Sequence, residues 1–510
     1  MPQNLILPQR HNKVPSARLV IAATDAQKRQ RLISSSIAIV WMENPGENMR
    51  LIALTLGLMI ATTCLAEGVD RELLGEQAVE RLVEYLQIDT TNPPGNEDRA
   101  VAFFAKIFDD EGVAYESGDS APGRGNIWAV LEGGRKPALI LLNHSDVVPA
   151  DASAWDEPPF SGNIKDGEIW GRGALDMKGT GILLLQAFLA LHREGRRLNR
   201  DVIFVATADE EAGGYFGAGW FAKQQARLVK GAGYLLNEGG GGSFMEGGIA
   251  VFGIEVTQKV PLWLRLEAHG NPSHGASPRV ESSVTRLIRA LNRIIEYDFE
   301  PRVLPALDEL FKGTADLARP DLVESFQNMS EAVKDREFLL ALQLYRPSTN
   351  SSIRNTCSIT RLEGSPKINV VPPMSAAELD CRLLPDQDPD AFIEQLTAIM
   401  NEPDISISKL LSFTPAVSPS DTELFAIIKD VMTREFRNAR VLPTMSVGFT
   451  DSHFFRDLGI TSYGFSPMLR DPAKMKPGEG PHGHNERVSV ENIERGTRLM
   501  LEMLERFVYD

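Results

Sequence analysis

Three short apolar runs, each followed at once by acids or a histidine, constrain this chain more than any other feature. Residues 138–142 run into NHSD (143–146), residues 202–207 into ADEEAGG (208–214), and residues 234–236 into NEGG (237–240). Apolar runs this short, bounded by segments of helical period, read as buried strands of an α/β sheet. Residues 77–86, 99–108 and 179–191 carry the helical period, and 126–131 is a further strand. Such sheets gather ligands just beyond the carboxyl ends of their strands, and the polar clusters fall there.

From residue 259 the character changes. Residues 262–269 alternate like a half-exposed strand, 284–295 are helical, 356–362 and 376–383 are strands, 389–400 form a helix opening on Pro389, and 405–411 a strand. Proline is tolerated in a first helical turn. The order β-α-β-β-α-β is that of a small ferredoxin-like domain, here 259–415, inserted between two parts of a larger domain, 67–258 and 416–510. Within the insertion, 298–350 is too long for a plain connection and is expected to form its own cap or flap, with a helix over 335–344. Helices over 422–436 and 490–507 complete the larger domain.

With 43% hydrophobic residues among 510, the chain can bury a large core. Its formal charge of −16 repels phosphate backbones and argues against a nucleic-acid partner. The only cysteines are Cys64, Cys357 and Cys381. They offer neither a disulfide scaffold nor a thiolate metal site, so any metal must be held by His, Asp and Glu. From Met49 the chain has one Arg, an apolar run over 51–65 and small residues at Ala66. That is the layout of a secretory signal peptide, 49–66, preceded by a doubtful N-terminal extension, 1–48. The run is shorter than the roughly 20 residues of a spanning helix, so an anchor fits less well and no stable span is expected in the mature chain. Thr63 before Cys64 also argues against a lipoprotein. The expectation is an exported protein, periplasmic or secreted, in which Cys357 and Cys381 either pair or remain spectator thiols.

His144 and Asp146 stand two apart at a strand end and so point to one side. A metal-binding imidazole oriented by a carboxylate has this form, although such a pair alone is more often structural. In GRGALDMKG (171–179), glycine turns surround Asp176. Its two oxygens can bridge two cations, or its carboxylate can cap the helix that follows. Asp209, Glu210 and Glu211 stand in a row, where a metal site and a solvated acidic loop compete, because packed like charges are costly without a cation. Glu238 ends another apolar run, and PHGHNE (481–486) supplies His482 and His484.

In order and spacing these segments resemble the co-catalytic zinc peptidase family of aminoacylase, carboxypeptidase S, glutamate carboxypeptidase and succinyl-diaminopimelate desuccinylase, from about residue 67 to 510. The resemblance implies a zinc-peptidase α/β sheet covered by helices, with an inserted ferredoxin-like α+β lid domain, and two zinc ions for which cobalt or manganese can substitute. One zinc is implied at His144, Asp176 and Glu238, the other at Asp176, Glu211 and His482. Asp146 would orient His144, and Glu210 would be the general base. The family's ligand histidine lies three residues before the Asn-Glu pair, which selects His482 over its neighbour His484.

The resemblance also implies an oxyanion-stabilising role for His274, in GNPSHGASP (270–278), often across the interface of a homodimer formed through the lid domain. Asn369 and Arg382 match positions that bind the substrate carboxylate, a task that suits an arginine fork. Gly448 and Thr450 match a loop that meets the substrate. Read from the residues alone, His274 is an ordinary loop histidine, and SVGFTD (446–451) is equally a tight turn before a helix. Two departures stand out. Asn143 occupies a position where the family has glycine, and the insertion 298–350 bears on how lid domains pair. The implied reaction is hydrolysis of an amide bond next to a free carboxylate. The enzyme would be a metallocarboxypeptidase acting on small peptides or, alternatively, an N-acyl amino acid amidohydrolase. The intact set of ligands and base argues against a non-catalytic binding protein on the same fold.

Overall fold

The computed structural model describes residues 69–510; the expected leader and the extension before it lie outside them. The strand Lys136–His144 shows how the main sheet arises. Its apolar run is buried on both faces, as only a central strand can be. It pairs in parallel with Arg200–Thr207 on one side and Ala232–Asn237 on the other, and Thr461–Gly464 extends the parallel set. Gly125–Leu131 and Tyr115–Asp119 continue the sheet antiparallel at one end. At the other end Ala250–Gln258 and Gly241–Phe244 pair antiparallel, and Arg440–Ser446 runs parallel along the outer edge of Ala250–Gln258.

Helices cover both faces. Lys178–Glu194 is buried over most of its length, against the sheet and the helices Arg71–Leu86 and Val490–Val508. The first helix begins at Arg71 rather than 77: the buried Leu74 already belongs to the spacing continued by Ala78, Leu82 and Leu86, and Asp70 caps the helix, accepting from the backbone of Glu72 at 3.0 Å. Gly195, at φ 60°, ends Lys178–Glu194 in the left-handed conformation that glycine adopts without strain. On the opposite face Ala218–Gln224 and Ala226–Gly231 pack over Trp128, Ile140 and Val205. Among the described residues no helix is long and apolar enough to cross a membrane.

A second, wholly antiparallel sheet is ordered Thr356–Glu363, Met374–Leu383, Val260–His269, Ile405–Ser412. Ser283–Glu296 and Pro389–Met400 pack with its apolar side chains around Leu264, Leu287, Leu379 and Phe392. The connection order is β-α-β-β-α-β. Cys357 and Cys381 are register partners on adjacent strands and are joined by a disulfide.

The stretch 298–350 folds into short helices, among them Pro305–Thr314 and Arg336–Tyr345, around Leu307, Phe311, Phe326 and Leu342. It does not stand apart as a flap. Its apolar cluster is completed by Leu384 and Met445, because so few residues expose too much apolar surface to close a core alone. Arg440 fastens it to the outer strand, donating to the carbonyl of Gly313 at 2.7 Å and pairing with Asp316.

Candidate functional site

The parallel strands deliver their polar ends to one place. His144 closes Lys136–His144, Glu210 and Glu211 sit in a tight turn after Arg200–Thr207, and Glu238 follows Ala232–Asn237. Asp176 comes from the turn before Lys178–Glu194, and His482 from the loop ahead of the last helix. The two Asp176 oxygens divide between two imidazoles: Oδ1 lies 3.2 Å from His144 Nε2, and Oδ2 lies 3.2 Å from His482 Nε2. Glu238 Oε1 is 3.5 Å from the same nitrogen of His144, and Glu211 Oε2 is 3.0 Å from that of His482. Two donor sets therefore share one carboxylate, each with an imidazole and a further carboxylate of its own, which is what a pair of divalent cations requires. Glu211 Oε1 is buried with no hydrogen-bond partner, an orphan that a cation would satisfy. His484 makes no contact with the cluster; His482 does.

Asp146 organises the residues behind the cluster. Its backbone oxygen is 3.0 Å and its Oδ1 3.4 Å from His144 Nδ1, leaving Nε2 turned to the cavity. Its carboxylate also accepts from the backbone N–H of Glu210 and of Glu211, each at 3.1 Å, and from Asn92 Nδ2 at 2.8 Å. One buried side chain thus fixes both the imidazole and the acidic turn. Asn143 is accommodated by a glycine on the facing helix: a Cβ on Gly181 would lie 2.8 Å from Asn143 Oδ1, while Asn143 Nδ2 donates to the carbonyl of Val205 at 2.8 Å.

Glu486 was not singled out by sequence, although it ends the motif that carries His482. It is fully buried and accepts from the backbone N–H of Gly173 (3.0 Å), Leu175 (2.7 Å) and Asp176 (3.0 Å), and from Arg172 Nη1 (2.7 Å). It shapes the turn that presents Asp176. Glu486→Ala would leave the Arg172 charge and these N–H groups buried without their acceptor. We expect it to lower the unfolding free energy by about 3–5 kcal/mol, measured by denaturant titration. A loss under about 1 kcal/mol, the value of an exposed pair, would deny Glu486 this role.

Without a cation the cluster is electrostatically crowded. Burial first, and then Glu238, push the Glu210 carboxyl well above the usual carboxylate range. Burial and the neighbouring Asp176 push Glu238 up to about 7. Burial would raise Asp176 as well, but the hydrogen bonds from His144 and His482 hold it well below its ordinary value. The same contacts with Asp176 and Glu211 raise His482 to about 10. Negative charge confined in this way is what a bound divalent cation neutralises.

A cavity of about 840 Å³ opens over the cluster, lined by Asp176, Glu210, Glu211, Glu238 and His482 and also by Arg382, Gly448 and Thr450. Asp380 holds the Arg382 guanidinium through Nε (2.6 Å) and Nη2 (3.1 Å), and the Phe449 ring lies 5.5 Å from it. Its Nη1 is buried and has no partner. The backbone N–H and the hydroxyl of Thr450 both donate to Gln258 Oε1, at 3.1 and 3.0 Å, so the Gly448 loop is braced rather than free. His274 and Asn369 are elsewhere. They flank a small ribbon of Ser273–His274 and Val370–Val371, where Gly275 donates to the Asn369 carbonyl at 2.9 Å. Both side chains are exposed and neither lines the cavity, so a single chain does not bring them to the cluster.

Residues 140–506 match Peptidase family M20/M25/M40. N-fatty-acyl-amino acid synthase/hydrolase PM20D1 of Xenopus tropicalis is 31% identical over 379 residues, 72% of this chain and 72% of that protein. Human aminoacylase-1 is 28% identical over 438 residues, 82% of this chain and 93% of that protein. Among solved structures, the M20 family metallo-carboxypeptidase Sso-CP2 of Sulfolobus solfataricus shares the fold, with a TM-score of 0.65 at 20% identity over 84% of this chain and 99% of that one.

Proposed function

The chain belongs to peptidase family M20/M25/M40 and is a metallohydrolase; within that family we propose that it cleaves the amide bond of an N-acyl amino acid, using two zinc ions and Glu210. The observation that carries the substrate reading is Arg382. Its unpartnered Nη1 belongs to a guanidinium that lines the same cavity as Glu210 and the ligand cluster, so a substrate's free carboxylate has a partner there. Similarity to a relative named N-fatty-acyl-amino acid synthase/hydrolase and to an aminoacylase supports that substrate over a peptide. Removal of a C-terminal residue from a small peptide is the second reading, because Arg382 reads only the carboxylate that both substrates carry.

The residues present fit a pair of divalent cations. His144, Glu238 and Asp176 would hold one, and His482, Glu211 and the other Asp176 oxygen the second. When bound, such ions supply Lewis-acid polarisation of the amide carbonyl and activate water near neutral pH. The chain's own groups do the rest. Asp146 keeps the His144 Nδ1–H engaged, so that Nε2 offers its lone pair. Glu210 accepts the proton of the attacking water and passes it to the departing nitrogen. Arg382 fixes the carboxylate, which orients the scissile bond against Glu210.

The test is a hydrolysis panel of N-acyl amino acids, matched dipeptides and the carboxamide of each, with zinc present. N-acyl amino acids should give the highest kcat/KM and the carboxamides the lowest. Carboxamides cleaved as well as the free acids would refute the role of Arg382. Dipeptides alone being cleaved would favour the second reading. Arg382→Ala should lower kcat/KM for free acids by roughly 10- to 100-fold, the worth of a hydrogen bond to a charged group, mainly through KM, and leave the carboxamides unchanged.

Export is part of the proposal. Its support is the leader layout at 49–66 together with the Cys357–Cys381 disulfide, a bond that persists in oxidising compartments. So is a homodimer, since His274 and Asn369 can serve the reaction only if a second copy carries them to the cavity. An enzyme fully active as a monomer would remove both from the site.

A further inference from the structure

The cavity extends past the chemistry. Its charged lining consists of the metal-binding cluster with Glu210, and of Arg382 and Arg470. Another part is paved with glycine. Gly240, Gly241 and Gly242 line it from the turn and strand that follow Glu238, and Val251 and Thr444 line it from the two outer strands of the main sheet. The glycines are required there: a Cβ on Gly240 would sit 2.2 Å from the carbonyl of Gly464, and one on Gly242 would sit 2.2 Å from the Phe252 ring. The floor is therefore bare backbone, smooth enough for an extended chain to lie on, with Arg470, the register partner of Ser243, as the charged group at its edge.

One wall of this trough comes from the insertion. In Pro305–Thr314, Gly313 lies close over Leu442 on the outer strand, where an added Cβ would be 2.7 Å away. Leu310 is three residues earlier and so shares that face of the helix. It is half-buried and lines the cavity. The helix cannot move off without breaking the Arg440 contacts to Gly313 and Asp316.

We propose that Leu310, delivered by the insertion 298–350, walls a subsite for a long, linear, apolar acyl group, and that it sets the acyl-length preference of the enzyme. The inference rests on the N-acyl amino acid reading and adds the chemistry of the acyl portion. A cavity of about 840 Å³ is far larger than an N-acetyl amino acid fills; pockets of roughly 300–1,000 Å³ enclose drug-sized ligands. A flexible alkyl chain takes up the remaining space by displacing water from the apolar side chains that line it, Leu310, Val251 and Met468, which is favourable in proportion to the apolar area covered.

The experiment compares wild type, Leu310→Trp and Leu310→Ala on N-acetyl and N-dodecanoyl forms of one amino acid, at saturating zinc, with thermal melts as the folding check. Leu310→Trp should lower kcat/KM for the dodecanoyl substrate by about tenfold or more, the scale of a pocket's discrimination between apolar groups, and change the acetyl substrate by less than about twofold. Leu310→Ala, which only enlarges the trough, should also shift the dodecanoyl-to-acetyl ratio with acetyl turnover preserved, and it carries the test alone if the Trp variant does not fold. A ratio unchanged in both variants, or both substrates falling together in folded protein, would overturn the inference while leaving the amidohydrolase reading intact. A wild type that cleaves neither substrate but cleaves dipeptides would sink the amidohydrolase reading, and this inference with it.

Discussion

Glu210→Gln is expected to lower turnover by about 10²–10⁴-fold, the range that a positioned general base contributes, while the protein keeps its bound metal. The replacement preserves shape and leaves the backbone N–H of residue 210 on Asp146 Oδ1, so the turn that carries Glu211 stays in place. What it removes is the proton acceptor. It should not cost stability. Burial raises the Glu210 carboxyl above its unfolded value, so its charged form opposes folding as pH rises through that raised pKa, and a neutral amide lifts this penalty at neutral pH. The readouts are kcat, metal content and a denaturant melt on the same preparation. Glu210 also lies within reach of His144 and Glu238 as a possible donor. If the variant lost a metal ion along with turnover, Glu210 would be a ligand and the base would have to be sought elsewhere.

The second large effect is expected at Asp176. Its two oxygens face two different imidazoles, so Asp176→Ala removes a donor from both metal positions at once. Turnover should fall to background and the metal bound per chain should drop below one ion, where His482→Ala, which touches one donor set, should still leave one. The backbone N–H of residue 176 keeps Glu486 as its acceptor in either variant, so the turn survives and the loss can be read as loss of metal. Elemental analysis after exhaustive dialysis decides between them. Two ions retained in Asp176→Ala would show that the carboxylate does not bridge.

The strands that carry the site were legible because burial on both faces demands an unbroken apolar run. Lys136–His144, Arg200–Thr207 and Ala232–Asn237 each contain one, and each hands on its polar residues within four positions of its end. Helix starts were less so: Asp70 fixes the start of Arg71–Leu86 by hydrogen bonds to the backbone of Glu72 and Leu73, and no periodicity records a cap. The residues behind the cluster were largely illegible. Asn92 and Glu486 act through burial and through partners 54 and 310 or more residues away, and an asparagine or a glutamate in a loop looks the same on paper whether solvated or buried.

By itself the sequence determined the fold class and the residue types that could meet a cation, because buried strands have to be apolar and, with no thiolate site on offer, divalent cations have to be met by His, Asp and Glu, both of which are matters of residue type and order. Only the tertiary structure decided which of those donors converge. It split the oxygens of Asp176 between His144 and His482, set Arg382, one arm of it buried and unpaired, in the lining of their cavity, kept His274 and Asn369 out of it, and packed the stretch 298–350, expected as a cap or flap, against the outer strand with Leu310 in the cavity lining. These outcomes depend on distances of a few ångströms between segments hundreds of residues apart, which packing sets and local composition does not encode.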